Sequence, residues 1–123
     1  MPRGPRLDAP GEIHHVAARG IERGSIFRDD LDRADLLVRI ARVTVEERLR
    51  VYAWSFLPNH VHLLVRSGPR PLGRCLQRIL TGYAMRFNRR HERAGHLFQN
   101  RFASVLCDRH SYLLELILSL IHI

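Results

Sequence analysis

The chain has 123 residues, 46% of them apolar, which suits one packed domain and is too short for two ordinary ones. Its 20 basic residues against 12 acidic ones give a formal net charge of +8, and every basic residue is arginine. No apolar run approaches a membrane span, the start Met1-Pro2-Arg3-Gly4-Pro5-Arg6 lacks a signal-peptide core, and Cys75 and Cys107 form no CxxC pair. These features point away from a membrane protein, a disulfide scaffold or a zinc finger and towards an intracellular protein. A GC-rich genome accounts for arginine over lysine, but not for the excess of positive charge. Guanidinium groups bind forked anions in bidentate fashion, so that excess suits phosphate-bearing partners.

Residues 1–11 carry three prolines, two glycines and two arginines and read as a flexible basic leader, with a single domain over 12–123. Residues 12–19 (EIHHVAAR) alternate as a strand does, with Ile13 and His15 on one face and Val16 and Ala18 on the other. A loop with glycines at 20 and 24 follows. Asp29 or Asp30 can cap a helix running to about Arg50, whose apolar positions Ala34, Leu37, Ala41 and Val45 keep helical spacing. Residues 51–56 (VYAWSF) and 61–66 (VHLLVR) predict two strands on either side of Leu57-Pro58-Asn59, where Pro58 cannot donate to a central ladder. Trp54 and Phe56 are assigned to the core.

Past the break at 69–72, Leu72, Leu76, Ile79, Tyr83 and Phe87 step at three and four along a long amphipathic helix ending near Arg90. Cys75 falls on its packed side. Residues 97–106 suit a strand or an extended loop, and 111–123 a final apolar helix capped by Asp108 or Ser111. The order β, α, β, β, α, (β), α predicts a ferredoxin-like α+β fold, a small antiparallel sheet with helices packed against it.

The sharpest feature is Asn59-His60-Val61-His62. Side chains two apart on a strand share a face, so His60 and His62 project together while Val61 faces the other way. Such a pair can chelate one divalent ion if a third ligand and water complete the shell. Taken alone, it reads better as two surface imidazoles on an edge strand. His14 and His15, being adjacent, diverge, and spacing alone brings neither to the His60/His62 face.

In this context "LPNHVHLLV" resembles the HUH motif (His, hydrophobic, His) of the IS200-like single-tyrosine transposases, especially the REP-associated tyrosine transposases. The resemblance covers nearly the whole chain. "HHVAARGIERGSIFRDDLDR" (14–33) is similar to the family's opening strand and loop, and "VYAWSFLPNHVHLLV" (51–65) to its two central strands. "LTGYAMRFNRRHERAGHLFQNRF" (80–102) resembles its basic helix and the segment after it, and "YLLELI" (112–117) the start of its last helix. The resemblance implies metal-assisted cleavage and rejoining of single-stranded DNA near hairpins, in the cytoplasm of a bacterium and on its nucleoid when DNA is bound. His60 and His62 would hold Mg²⁺ or Mn²⁺ against the scissile phosphate. A tyrosine of the last helix would attack it, leaving a 5′-phosphotyrosine and a free 3′-hydroxyl, so that the bond energy is kept for rejoining. Relatives work as dimers or as monomers, which leaves a homodimer open.

The family's last helix runs on into Arg-Tyr-Ile-His-x-Asn-Pro, its tyrosine the nucleophile and its asparagine the third ligand. Here the sequence reads Leu118-Ser119-Leu120-Ile121-His122-Ile123, placing Ser119 at the nucleophile position and Ile123 at the ligand position. A one-residue insertion would place Leu120 at the nucleophile position instead. The expectation is therefore a truncated or frameshifted copy with impaired strand transfer. Tyr112 is a weak substitute about two turns earlier, Tyr83 belongs to the apolar stripe, and Tyr52 lies on a central strand. His122 is an alternative third ligand.

Arg19 and Arg23 flank the glycine-containing loop, as phosphate contacts or as a solvated turn. Arg89, Arg90, Arg93 and Arg101 surround His91 and His96, with Phe87, Phe98 and Phe102 interleaved; arginines beside aromatics suit unpaired bases next to backbone charge. Phe87 also continues the apolar stripe. Arg19, Arg23, Arg89, Arg90 and Arg101 are the expected DNA contacts. Three functions compete: a DNA transposase or nickase, a catalytically inactive remnant that binds hairpin DNA, and a metal-dependent nuclease of the His-Asn-His type, which would need differently spaced histidines.

Overall fold

The structure, a computed structural model, describes residues 11–99 and the backbone of 103–106. The leader up to residue 10, Arg101, Phe102, and the expected last helix with Tyr112, Ser119, His122 and Ile123 lie outside the described residues.

Local chemistry sets the ends of the elements. Helix α1 (Asp30–Glu46) begins where the Asp29 carboxylate accepts the Asp32 backbone N–H at 3.0 Å, satisfying a donor that a helix N-terminus leaves open. It stops four residues short of the expected Arg50. Arg48 takes a positive φ of 57°, and the Leu49 amide turns back to the Thr44 carbonyl at 3.0 Å, which carries Leu49 into the core. The Glu47 and Arg48 carbonyls lie so close to Gly68 that a Cβ there would stand 2.4 Å from the first. Helix α2 (Leu72–Arg90) occupies the expected span.

Four strands, β1 (Ile13–Arg19), β2 (Arg50–Leu57), β3 (His60–Arg66) and β4 (Ala103–Leu106), form one antiparallel sheet in the order β2-β3-β1-β4. With α1 between β1 and β2 and α2 between β3 and β4, this is the ferredoxin-like α+β arrangement. The ambiguous 97–106 segment resolves into β4 and an isolated bridge between Phe98 and Gly20. β3 lies inside the sheet, so the His60/His62 pair is not on an edge strand. β2, in contrast, is an edge, and Tyr52 with it; the ladder is irregular between Val51 and Ala53. Trp54 is not a core residue but 50% exposed, since an edge strand has a neighbour on one side only, whereas Phe56 packs partly against the core.

Both helices cover the same face. Val16, Val61, Leu63 and Val65 meet Leu36, Ile40 and Val43 of α1 and the whole expected α2 stripe of Leu72, Leu76, Ile79, Tyr83 and Phe87, with Cys75 buried among them. On α1 the structure reverses the expected face: Ala34, Leu37, Ala41 and Val45 are exposed, and Leu36, Ile40 and Val43 are buried. Both stripes keep helical spacing. The one carrying three large aliphatic side chains removes more apolar area from water than the one that includes two alanines, and it wins the core.

Among the described residues no helix is long and apolar enough to cross a membrane. The two α1 stripes make an unambiguous comparison by urea unfolding. Leu36→Ala should cost about 2–5 kcal/mol, whereas Val45→Ala, at a side chain 79% exposed, should stay within about 0.5 kcal/mol of the parent.

Candidate metal and nucleic-acid site

Alternation along β3 sends Val61, Leu63 and Val65 to the helices and His60 and His62 to the opposite face, which neither α1 nor α2 covers. The β1–β3 register sets Ala17 opposite His62 and Arg19 opposite His60, so the odd-numbered side of β1 shares that face. His15 is thereby brought to the pair. Its Nε2 lies 3.0 Å from His62 Nδ1 and the two rings stack with centroids 5.1 Å apart, while His60 meets His62 edge-on at 4.7 Å. His14 turns the other way and is fully buried. His15 is the residue that spacing within the sequence missed. Alternation had already placed it beside Ile13, but only pairing with a strand 47 residues away reveals what it faces.

The turn that carries His60 is clamped. Asn59 Oδ1 lies 2.8 Å from His60 Nδ1. The Asn59 carbonyl accepts the Gly20 N–H, and the Pro58 carbonyl accepts the Ile26 N–H, each at 2.8 Å. On the other side, Ile21 and Arg19 exchange backbone hydrogen bonds of 2.9 and 2.7 Å with Leu97 and Gln99. Glu22 and Arg23 both take positive φ, folding the 20–24 segment so tightly that a Cβ on Gly20 would stand 2.1 Å from the Gly24 carbonyl oxygen.

Burial shapes the charge state. His62 is pushed down to about 4, chiefly by desolvation and then by His15 and His60. Fully buried Leu64, on the same side of β3, is its apolar neighbour along the strand. Desolvation also lowers His15, and desolvation followed by the Arg19 guanidinium lowers His60. All three rings are therefore neutral at neutral pH, the form in which imidazole ligates a metal. Among the described residues no three His, Cys, Asp or Glu side chains are arranged to hold an ion. The donor chemistry of His60 and His62 fits a divalent cation that takes its remaining ligands from elsewhere.

The expected DNA-contacting arginines separate into two groups. Arg19, Arg23 and Arg89 are exposed, Arg19 beside His60. Arg90, also exposed, is held by acidic partners, its guanidinium pairing with Asp29 at 2.6 Å and Asp32 at 2.5 Å, while His91 Nε2 lies 2.9 Å from buried Asp32. The hydrogen bond from Arg90 is the main cause that pulls Asp29 down to about 2. Arg93 is likewise held, donating to the Asn88 side chain and the His96 carbonyl, each at 2.8 Å.

Neither described candidate tyrosine reaches the pair. Tyr83 is buried and donates its hydroxyl to the Ile26 carbonyl, and burial drives its phenol far above the ordinary range. Tyr52 lies three residues from Ser55, the register partner of His62, about 10 Å along the strand. Phe87 is core and Phe98 packs partly against it.

A sequence model of the family described as "Transposase IS200 like" matches residues 11–117. Among curated proteins none matches significantly. The fold is similar to that of a REP-associated tyrosine transposase solved bound to a REP hairpin, with a TM-score of 0.74 and 16% identity over 95% of this chain and 68% of that one. It is also similar to a candidate transposase from Deinococcus radiodurans, with a TM-score of 0.64 and 16% identity over 99% of this chain and 95% of that one.

The His62 shift has a measurable sign. The unfolded chain protonates this ring below 6.5, but the folded one resists until about 4. The stability tied to the neutral ring is therefore complete above pH 6.5 and is lost as the pH falls from there to about 4. Ring-proton NMR should place the His62 midpoint near 4, and His62→Gln should flatten the decline of stability across that window.

Proposed function

This chain belongs to the IS200-like transposase family, and from that premise we propose that it binds single-stranded or hairpin DNA with His60 and His62 holding Mg²⁺ or Mn²⁺ at the scissile phosphate. The observation that carries this reading is the set of neutral imidazoles and the Arg19 guanidinium on the face of the sheet that α1 and α2 do not cover. An ion bound there would neutralise charge on the non-bridging oxygens and favour in-line attack at phosphorus.

The residues have distinct tasks. His60 and His62 supply nitrogen lone pairs. Arg19, beside His60, takes a phosphate oxygen through its forked donors, and Arg23 on the folded 20–24 loop contacts the adjoining backbone. Exposed Arg89 extends the basic surface from the end of α2, and Arg101 extends it in sequence. Arg90 serves by holding the end of α2 against the start of α1 through Asp29 and Asp32. The REP hairpin bound by the structurally similar transposase is the kind of ligand this arrangement suits.

Strand cleavage by tyrosine is impaired in this reading, because the family's nucleophile position falls on Ser119 and neither Tyr83 nor Tyr52 lies near the pair. The second reading follows from the same observation: a remnant that binds hairpin DNA without cutting it.

A labelled hairpin oligonucleotide separates the outcomes. The protein should retard it in a native gel and leave no covalent adduct in a denaturing gel with Mn²⁺. An adduct would overturn the impaired reading, and the absence of a shifted band would overturn DNA binding itself. Arg19→Ala should weaken binding about tenfold, the scale of one charge-assisted contact, and reduce the salt slope by about one. His60→Ala with His62→Ala should abolish Mn²⁺ binding while leaving the metal-free shift in place.

A further inference from the structure

Each imidazole of the pair spends one nitrogen on a protein partner, and in both cases that nitrogen is Nδ1. His60 Nδ1 lies 2.8 Å from Asn59 Oδ1. A side-chain carbonyl oxygen has no proton to give, so Nδ1 must donate and the lone pair of His60 resides on Nε2. His62 Nδ1 lies 3.0 Å from His15 Nε2. A single proton bridges two neutral rings, and it belongs to one nitrogen or the other.

We propose that His62 carries this proton and His15 accepts it, so that Asn59 and His15 are positioning residues fixing the pair as Nδ1–H tautomers with both Nε2 lone pairs facing outward. This assignment rests on the reading of His60 and His62 as metal ligands, since an imidazole ligating through Nε2 must keep its proton on Nδ1 and donate it. His15 is the acceptor that the structure places in reach. It also governs ring orientation, because its plane lies within 13° of that of His62.

Both partners stand on backbone that cannot easily move. His15 belongs to β1, which is hydrogen-bonded to β3 on one side and β4 on the other. Asn59 is fixed through its carbonyl, which accepts the Gly20 N–H at 2.8 Å. The pair is thus oriented before any ligand arrives. This also accounts for an Asn directly before the first histidine and a His in a strand distant in sequence.

Long-range ¹H–¹⁵N correlation spectra of the metal-free protein read each tautomer directly. The expected result is Nδ1–H for His60 and His62, with His15 Nε2 unprotonated; His62 found as Nε2–H overturns the proposal. His15→Phe keeps a stacked ring but has no acceptor. It should shift His62 towards Nε2–H and weaken Mn²⁺ binding, followed by electron paramagnetic resonance of the free ion, by about 10- to 100-fold. His15→Gln, whose amide oxygen can accept, should restore most of the affinity. An unchanged tautomer and affinity in His15→Phe would also overturn the assignment. If that variant does not fold, the wild-type spectrum and His15→Gln still decide it. Should the wild-type protein show the expected tautomers yet bind no Mn²⁺, the metal reading fails while the tautomer assignment stands.

Discussion

The pairing of β1 with β3 in one register is the constraint from which the site follows. That register sets Arg19 opposite His60 and Ala17 opposite His62, and strand alternation then brings His15 to the same side. A slip of one residue would turn His14 outward and drive His15 and Arg19 towards the helices. The cost of placing a guanidinium and a second polar face against the core opposes the slip. His14, Val16 and Ala18, all buried on the helix side, hold the strand in its phase. The hydrophobic face and the histidine face are thus two consequences of one alternation.

Burial then tunes what the register has assembled. The imidazoles are near enough to apolar neighbours, and to one another, to disfavour protonation, which keeps them neutral rather than cationic. Much of the charge on the helix side is consumed internally: Arg39 pairs with Asp35, Arg78 with Glu46 and Glu47, and Arg90 with Asp29 and Asp32. Exposed pairs of this kind add little stability. Asp32 is the exception, because it is buried and takes hydrogen bonds from the Arg28 amide, Arg90 and His91. It ties the end of α2 to the start of α1.

Where sequence and structure part, two local patterns compete or a distant partner decides. The α1 helix carries two stripes with the same spacing, so periodicity found the helix but not its buried face. Trp54 alternates with Ala53 and Ser55 as a core residue would, yet sheet order places its strand at an edge and leaves it half exposed. Arg90 resembles its neighbours Arg89 and Arg93 in sequence, and its engagement depends on Asp29, which lies 61 residues away.

The sequence by itself determined the α+β class, the span and buried stripe of α2, a cap at Asp29 or Asp30, and the shared face of His60 and His62. All of these depend on residues within a few positions of one another, where helical and strand periodicities act. Only the tertiary structure decided that β3 is interior, that His15 completes the imidazole array, and that Arg19 stands beside His60. Those outcomes depend on register between strands more than forty residues apart and on which faces the helices cover, and these are set by burial summed over the whole fold.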